Sequence, residues 1–231
     1  MIKTIKAKMM IIIALMVALL ITGSSFFLYN QSRDVLKETI YDDALEVVKN
    51  ESALIEEWLQ GKIQNLKILT QTDEIKSMDW AKQKDILENL SREDEAVETY
   101  YVMDKKGFYY DQFGSGDISG REYYQKGISS EELVISKPLI DKSTGNMMIA
   151  VVYPIFENNQ IKGLLGATIS LDYLQSLVKN MKISNYGQGW IIDNKQNTIA
   201  HPAKKYIGDK SILDVGNQKL NNIAQLMAQG N

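Results

Sequence analysis

An uncharged, apolar stretch near the N-terminus constrains the fold of this chain more than any other feature. Residues 9–32 contain no charged side chain, and about twenty apolar residues in a helix are enough to cross a bilayer core roughly 30 Å thick. Three lysines precede the stretch, and positively charged flanks stay in the cytoplasm. The sequence therefore predicts a single-pass cell-membrane protein with a cytoplasmic segment at 1–8, a transmembrane helix at 9–32 and an extracytoplasmic remainder at 33–231.

A cleaved signal peptide is the alternative interpretation of the same stretch. Residues 22–25 are small enough to form a cleavage site. However, the apolar region of a secretory signal usually covers about 7–15 residues, and this one continues through the largely aromatic residues 26–29. We therefore favour an uncleaved membrane anchor.

The composition excludes several classes of function. The chain has no cysteine, so disulfides, zinc–thiolate sites, iron–sulfur clusters and cysteine nucleophiles are ruled out. A net charge of −3 disfavours a general nucleic-acid binder, which would be basic. We also find no nucleophile elbow, metal-ligand set or phosphate loop. The sequence predicts a protein that is not an enzyme, with no catalytic residue, metal, cofactor or nucleic-acid partner.

Helical periodicity extends well beyond the apolar stretch. From residue 33 to about residue 70, apolar residues recur at steps of three and four, which is typical of an amphipathic helix. A free coiled-coil stalk would have this periodicity too. The pattern is not a strict heptad, however, and strand-rich sequence that needs a covering helix follows. We therefore predict a spine helix, meaning a long helix packed along a β-sheet.

The period then changes from helical to strand-like. Two short helices are expected first, at 73–78 and 80–91, with Asp79 as the N-cap of the second. Strands are expected at 97–103, 107–112, 133–137, 146–156 and 161–171. The remaining elements are a helix at 172–180, a second β segment from residue 189 and a weak helix at 220–229. Because residues 101–107 and 190–196 share an aromatic–apolar strand, an aspartate and a polar turn, two related lobes are expected in series.

The order and spacing of several segments carry a family resemblance. They are residues 97–104 (VETYYVMD), 121–124 (REYY), 136–141 (SKPLID), 163–172 (GLLGATISLD) and 186–193 (YGQGWIID). Together they resemble the double Cache domain, the sensing module of methyl-accepting chemotaxis proteins, in its N-terminal portion. The resemblance implies an α+β fold with a transmembrane helix, a spine helix and a PAS-like antiparallel sheet. It assigns 33–182 to the spine helix and membrane-distal Cache lobe, and 183–231 to the start of a truncated membrane-proximal lobe.

The implied function is extracytoplasmic binding of a small molecule in the distal lobe for chemotaxis signalling. Amino-acid-binding members of the family hold the ligand carboxylate with an Arg-x-aromatic-aromatic element, which Arg121, Tyr123 and Tyr124 match. A guanidinium pairs with a carboxylate through two parallel hydrogen bonds, and tyrosine adds a hydroxyl and a flat apolar wall. The chain departs from the family pattern at three positions: Thr168 stands where an acidic residue is expected, and Gly116 and Leu139 stand where tyrosines are expected.

Strand parity supports a place for Thr168 in the pocket wall. Residues 164, 166, 168 and 170 share one face of the predicted strand, and the apolar residues between them share the other. The second set suits packing on the spine helix, and the first is small and partly polar. The alternative is that Thr168 simply favours a strand.

Other candidates rest on weaker signals. Tyr101 lies on a strand leading toward the site. Asp141 would face the pocket, although a turn beside Gly145 explains it equally well. Residues 114–116 are expected to form a flexible loop that covers the site, and His201 is expected to be structural.

The chemistry of these residues favours an organic anion over a free amino acid. Thr168 removes the negative charge expected opposite an α-ammonium, and a buried ammonium without a counter-charge costs several kcal/mol. If amino acids did bind, Asp141 or Asp111 would have to supply the charge. The long helix suggests a homodimer. A histidine kinase or cyclase receptor would use the same ectodomain, and a membrane-anchored structural or assembly protein is the remaining alternative.

Overall fold

The computed structural model describes residues 5–183, 187–193 and 197–211, together with residues 218 and 222. The chain divides into two compact units, residues 1–49 and 50–231, and each is described by itself. Helix α1 (Ile5–Leu69) contributes residues to both units.

In the first unit, α1 carries large apolar side chains that are exposed. Leu19, Phe26 and Tyr29 are 74%, 70% and 67% exposed. Large exposed apolar surfaces mark contact with another apolar phase, such as a membrane. Over the part of the chain that the structure describes, α1 is the one helix that is long and apolar enough to cross a bilayer. This agrees in length and composition with the transmembrane helix predicted at 9–32.

The second unit is built on an antiparallel sheet. Helices α2 (Asp73–Lys76) and α3 (Trp80–Glu93) precede the strands. The strands are β1 (Val97–Asp104), β2 (Phe108–Asp111), β3 (Gly114–Asp117), β4 (Val134–Ile135), β5 (Leu139–Ile140), β6 (Met147–Glu157) and β7 (Gln160–Ser170). Their order is β3-β2-β1-β7-β6-β4, and β5 also pairs with β6. Helix α4 (Glu122–Ser130) lies between β3 and β4 in sequence, and α5 (Leu171–Asn180) follows β7.

The two faces of this sheet pack against different elements. Leu165 and Ile169 of β7 lie in a core cluster with Leu66 of α1, whereas Leu164 lies in a separate cluster with Tyr123 of α4. We call the first side of the sheet the spine face and the second the pocket face. The strand parity and the spine packing predicted from the sequence are therefore confirmed, and so is the α+β fold with a long helix and an antiparallel sheet.

Most predicted elements agree with the structure to within a few residues. Asp79 caps α3 as predicted, because its carboxylate accepts a hydrogen bond from the backbone amide of Ala81 at 3.1 Å. Helix α4 was not predicted, although its buried residues Tyr123, Tyr124 and Gly127 have the spacing of one helix face.

The prediction of a flexible loop at 114–116 is wrong, because these residues belong to β3 and pair with β2 in a hairpin. The Asp111 carboxylate closes the turn by accepting hydrogen bonds from the backbone amides of Phe113 and Gly114, both at 2.8 Å. Gly114 has a φ of +148°, a conformation that glycine adopts at little cost.

The remaining described residues form short antiparallel pairs. Strand β8 (Lys182–Ile183) pairs with β9 (Gly187–Gln188), and β11 (Asn197–Ala200) pairs with β10 (Ile191–Ile192) and with β12 (Gly208–Ser211). Strands β10 and β11 agree with the β segment predicted from residue 189, whereas β8, β9 and β12 were not predicted. Of the helix predicted at 220–229 the structure describes only residue 222, which is helical, and the truncation of the second lobe stays a prediction.

Candidate ligand-binding site

A small polar pocket lies against the pocket face, between β1, β2, the start of α4 and the loop that joins β5 to β6. Its volume of about 20 Å³ leaves room for roughly one water molecule, so in this conformation the pocket is too small for an organic ligand. Five of the seven residues predicted for the site line it, namely Tyr101, Arg121, Tyr123, Leu139 and Asp141. The other lining residues are Thr99, Tyr109, Asp111, Ile118, Lys142, Ser143 and Met148.

Arg121 reaches this pocket from the position just before α4. Its Nη2 donates a hydrogen bond to the backbone carbonyl of Ile140 at 3.0 Å, which ties the start of α4 to β5. Within the described ranges Arg121 forms no ion pair with a carboxylate. Because a guanidinium has five N–H donors, most of them are available to a ligand.

Tyr101 carries a buried hydroxyl without a partner. The residue is 3% exposed, and its ring lies over Gly166 of the neighbouring strand, where a Cβ atom would collide with the ring. Among the residues described, none forms a hydrogen bond with Tyr101 Oη, and an unpaired buried hydroxyl costs about 1–3 kcal/mol. Burial raises the pKa of Tyr101 well above its usual value, and Tyr123 and two nearby aspartates raise it further. The hydroxyl therefore stays protonated and can donate to a ligand.

Tyr123 lies beside Tyr101 in the pocket. Burial raises the pKa of Tyr123, while the Tyr101 hydroxyl and the Arg121 charge act in the opposite direction. The two hydroxyls are close enough to affect each other's pKa, but their geometry falls short of a hydrogen bond. Each can therefore turn toward a bound molecule.

Two buried aspartates line the same pocket. Besides closing the β2–β3 turn, Asp111 accepts a hydrogen bond from the Ser143 hydroxyl at 2.7 Å. Asp141 Oδ1 accepts from the backbone amides of Ser143 and Thr144 at 2.7 and 2.8 Å. Burial raises the pKa of Asp111, although its hydrogen bonds partly offset this effect. Both carboxylates thus organise loops at the pocket.

The loop between β5 and β6 covers the pocket and is held at several points. Glu98 accepts hydrogen bonds from the Thr144 hydroxyl at 3.1 Å and from the Asn146 amide at 3.2 Å. Lys142 Nζ donates to the backbone carbonyl of Asp117 at 2.6 Å. Together with the Ser143–Asp111 bond, these contacts close the pocket from the loop side.

Tyr124 and Thr168, the other two predicted residues, do not line the pocket. The Tyr124 hydroxyl donates to the backbone carbonyl of Asp104 at 3.1 Å. The Thr168 hydroxyl accepts from the Thr99 amide at 3.1 Å and donates to the Thr99 carbonyl at 3.2 Å, where the pairing of β1 with β7 shifts register. Their roles toward a ligand stay predictions.

Sequence reasoning named Asp111 only as a substitute source of charge and missed Tyr109 and Ser143. The alternation along β2 was the available signal, because Tyr109 and Asp111 fall on one face of that strand and the exposed Phe108 and Tyr110 fall on the other. In the described part of the chain, no group of three or more His, Asp or Glu side chains is placed to hold a metal ion.

Comparison with known proteins agrees with the resemblance. The curated relatives are methyl-accepting chemotaxis proteins, among them PscA of Pseudomonas syringae pv. tomato, which is 19% identical over 203 residues, or 85% of this chain. The chain spans about a third of the length of PscA, 32%.

Two solved structures share the fold. The ligand-binding domain of the Pseudomonas fluorescens chemoreceptor CtaA in complex with L-isoleucine has a TM-score of 0.63 and 20% identity, covering 78% of this chain and 75% of that domain's solved chain. The extracellular domain of the putative histidine kinase mmHK1S-Z2 has a TM-score of 0.70 and 17% identity, covering 83% of this chain and 84% of the other. The Cache domain family matches residues 32–231, and the chain therefore belongs to that family.

Proposed function

We propose that this chain is the extracytoplasmic ligand-sensing part of a transmembrane chemoreceptor, and that its small polar pocket binds the carboxylate of an organic anion. The observation that carries the proposal is the buried, unpartnered Tyr101 hydroxyl, which lines the same closed pocket as Arg121. An unpaired buried hydroxyl lowers stability, so its presence beside a guanidinium is best explained by a ligand that satisfies both. The role is binding rather than catalysis.

The balance of donors and acceptors favours an anion. Asp111 accepts two hydrogen bonds from its own turn and one from Ser143, and Asp141 accepts two from its own loop, so much of their capacity is already used. The donors have more unused hydrogen-bonding capacity, because Arg121 donates once to a carbonyl and Tyr101 finds no acceptor among the described residues. A carboxylate would pair with the guanidinium and accept from the Tyr101 hydroxyl. An α-ammonium would depend mainly on the second oxygen of Asp141, which supports the preference for amine-free acids.

The test is calorimetry on the full chain in lipid nanodiscs with matched acids that differ only in the α-amino group, such as propanoate and L-alanine. Arg121→Ala should lose roughly 2–5 kcal/mol of binding free energy, as for truncating one partner of a buried charge pair. Arg92→Ala is the matched control, because Arg92 lies on α3 and its side chain is 68% exposed. Tyr101→Phe should weaken binding while the free energy of unfolding without ligand stays equal or rises.

Two outcomes would count against this assignment. Equal affinity in the parent and in Arg121→Ala would show that Arg121 does not hold the ligand carboxylate. Tighter binding of L-alanine than of propanoate would overturn the preference for amine-free acids, and loss of that binding in Asp141→Asn would identify Asp141 as the counter-charge.

We further propose the topology and lobes predicted from the sequence, with residues 1–8 in the cytoplasm and 9–32 in the membrane. Residues 33–182 would form the spine helix and distal lobe, and 183–231 the start of the proximal lobe. The exposed apolar surface of α1 supports the membrane assignment. Protease added to intact spheroplasts should digest the region after residue 33. A soluble product starting near residue 24 would show a cleaved signal instead.

A homodimer through α1 is the proposed assembly. Apolar side chains between residues 35 and 48 are exposed on this helix, including Ile40 and Val48, each 46% exposed. Because the chain has no cysteine, Val48→Cys offers a single crosslinking site, and oxidation in native membranes should give a disulfide-linked dimer. Lys49→Cys is the control on the next residue. Recovery of Val48→Cys as a monomer alone, with no crosslinked dimer, would argue against this assembly.

A histidine kinase is the second candidate for the output, favoured by the similarity to the extracellular domain of mmHK1S-Z2. The two candidates share the sensing pocket and differ in the cytoplasmic domain. The reading frame after codon 231 distinguishes them, because a kinase core and a chemoreceptor coiled coil have different sequences.

A further inference from the structure

A second and much larger cavity lies beside the small polar pocket. Its volume is about 760 Å³, within the range of roughly 300–1,000 Å³ typical of small-molecule sites. It is bounded by residues 55–59 of α1, the start of α4 and residues 134–139, and by Ile191, Asp193 and Ile199 of the second β segment. We call this cavity the cleft.

The cleft and the small pocket share one wall. Arg121, Tyr123 and Leu139 line both, so these three side chains are what separates them. Leu139 is only partly buried, and a leucine can change rotamer without breaking a hydrogen bond. The small pocket can therefore open into the cleft by side-chain movement alone.

The opposite wall of the small pocket is harder to open. It is the β5–β6 loop, whose residues Lys142, Ser143, Thr144 and Asn146 each donate a side-chain hydrogen bond to another part of the lobe. A pocket of about 20 Å³ holds no more than a water molecule, so a ligand has to displace one of the two walls. The cleft side loses fewer hydrogen bonds, and the geometry favours entry from there.

The chemistry of the cleft differs from that of the small pocket. Nine of its nineteen lining residues are aliphatic, including Leu59, Val134, Ile149, Leu174 and Ile199. Arg121 and Lys137 add positive charge, and Lys126 is paired with Glu122 at 2.6 Å. The acidic side chain of Asp193 also lines the cleft, where it accepts two hydrogen bonds from Asn197. An apolar chamber with a guanidinium in its wall is complementary to a carboxylate that carries an apolar body.

We propose that the ligand site continues past Leu139 into the cleft and takes an amphipathic monocarboxylate, whose carboxylate lies on Arg121 and whose hydrocarbon part fills the cleft. This inference rests on the proposed carboxylate clamp at Arg121. It adds a second subsite, and it makes affinity depend on the length of the apolar part. Each methylene that enters the cleft should tighten binding by roughly fourfold.

The test is calorimetry on the full chain in nanodiscs with acetate, butanoate and hexanoate, using empty nanodiscs as the blank. The parent should bind hexanoate much more tightly than acetate. Ile135→Trp places an indole at an exposed position of the cleft wall, since Ile135 is 43% exposed, and should abolish the gain with chain length while acetate binding is unchanged. Ile68→Trp is the matched control, because Ile68 is an exposed isoleucine of α1 that does not line the cleft.

The outcomes separate this inference from the proposed function. Affinity that depends on Arg121 but not on chain length, or a gain that survives in Ile135→Trp, would overturn the cleft subsite and leave the clamp in place. Failure of every carboxylate to bind, or binding that Arg121→Ala does not weaken, would overturn both.

Discussion

The two faces of the seven-stranded sheet use the same strands for opposite purposes. On the spine face, β7 contributes Leu165, Ala167 and Ile169 to an apolar core that includes Leu66 of α1. On the pocket face, the intervening residue Gly166 makes room for the Tyr101 ring, whose hydroxyl finds no partner among the described residues. Adjacent residues of one strand therefore serve stability on one side and adjoin the proposed binding pocket on the other.

The comparison shows how a small lobe can tolerate a costly site. The spine face buries apolar side chains, which contribute about 25 cal/mol per Å² of apolar surface removed from water. The pocket face buries an unpaired hydroxyl, which opposes folding, and the Asp111 carboxylate, for which hydrogen bonds only partly offset the cost of burial. Substitutions on the spine face should therefore reduce stability strongly, whereas those on the pocket face should have smaller or even opposite effects.

The largest effect is expected on the spine face. Leu66 is fully buried in the core, at 0% exposure, so Leu66→Ala should lower the free energy of unfolding by about 2–5 kcal/mol. Leu54→Ala, on the same helix but at 60% exposure, should change it by less than about 0.5 kcal/mol. Urea denaturation in detergent, followed by circular dichroism, measures both. Equal effects would mean that this part of α1 is not packed on the sheet.

An intermediate effect on stability is expected at Gly166, where the Tyr101 ring lies against β7 on the pocket face. A Cβ at Gly166 would meet the Tyr101 ring, so Gly166→Ala should cost about 1–3 kcal/mol of stability through overpacking. Gly61→Ala is the control with the opposite sign, because Gly61 has open space around it on α1 and alanine favours a helix by up to about 1 kcal/mol. If Gly166→Ala were neutral, the ring of Tyr101 would not be held against β7.

The smallest effect is electrostatic. Burial raises the pKa of Asp111 above its usual 3.8, so the folded state prefers the protonated carboxyl, and this contribution is lost as pH rises through the raised pKa. Stability relative to Asp111→Asn should therefore fall between pH 3.8 and neutrality. The pKa of Asp117 is lowered from its usual 3.8 by its hydrogen bonds to Ser119, so stability relative to Asp117→Asn should instead rise with pH through the lowered pKa and level off above pH 3.8. Urea titrations at several pH values test both signs, and parallel slopes would contradict the burial of Asp111.

Long periodic segments made most of the fold predictable. Strands β6 and β7 each cover eleven residues, and their alternation also identified which residues of β7 pack on α1. Strand β3 was missed because Gly114, Ser115 and Gly116 have little intrinsic preference for a strand. Its pairing depends on the Asp111 carboxylate in the preceding turn, a contact that the local sequence does not reveal.

The candidate site was predictable in part, for a similar reason. Arg121, Tyr123 and Leu139 were found by resemblance, and the structure brings them together with Tyr101 and Asp141. Thr168 was placed in the pocket by the same resemblance, with the parity of β7 as support. Its hydroxyl is bonded to the backbone of Thr99, at a register shift of the neighbouring strand between Val97 and Thr99. The alternation within one strand cannot show a contact of this kind.

The contact between Thr168 and Thr99 has a consequence for how binding specificity can evolve in this chain. The Thr168 hydroxyl both accepts from the Thr99 amide and donates to the Thr99 carbonyl. A carboxylate at position 168 could replace the acceptor but not the donor, and it would face the carbonyl of Thr99 as a second acceptor. The effect of Thr168→Asp is therefore expected to depend on the register in which β1 pairs with β7. An amine-binding descendant would have to change two strands in concert, so a gradual route to a new ligand is more accessible through the loops that carry Asp111 and Asp141.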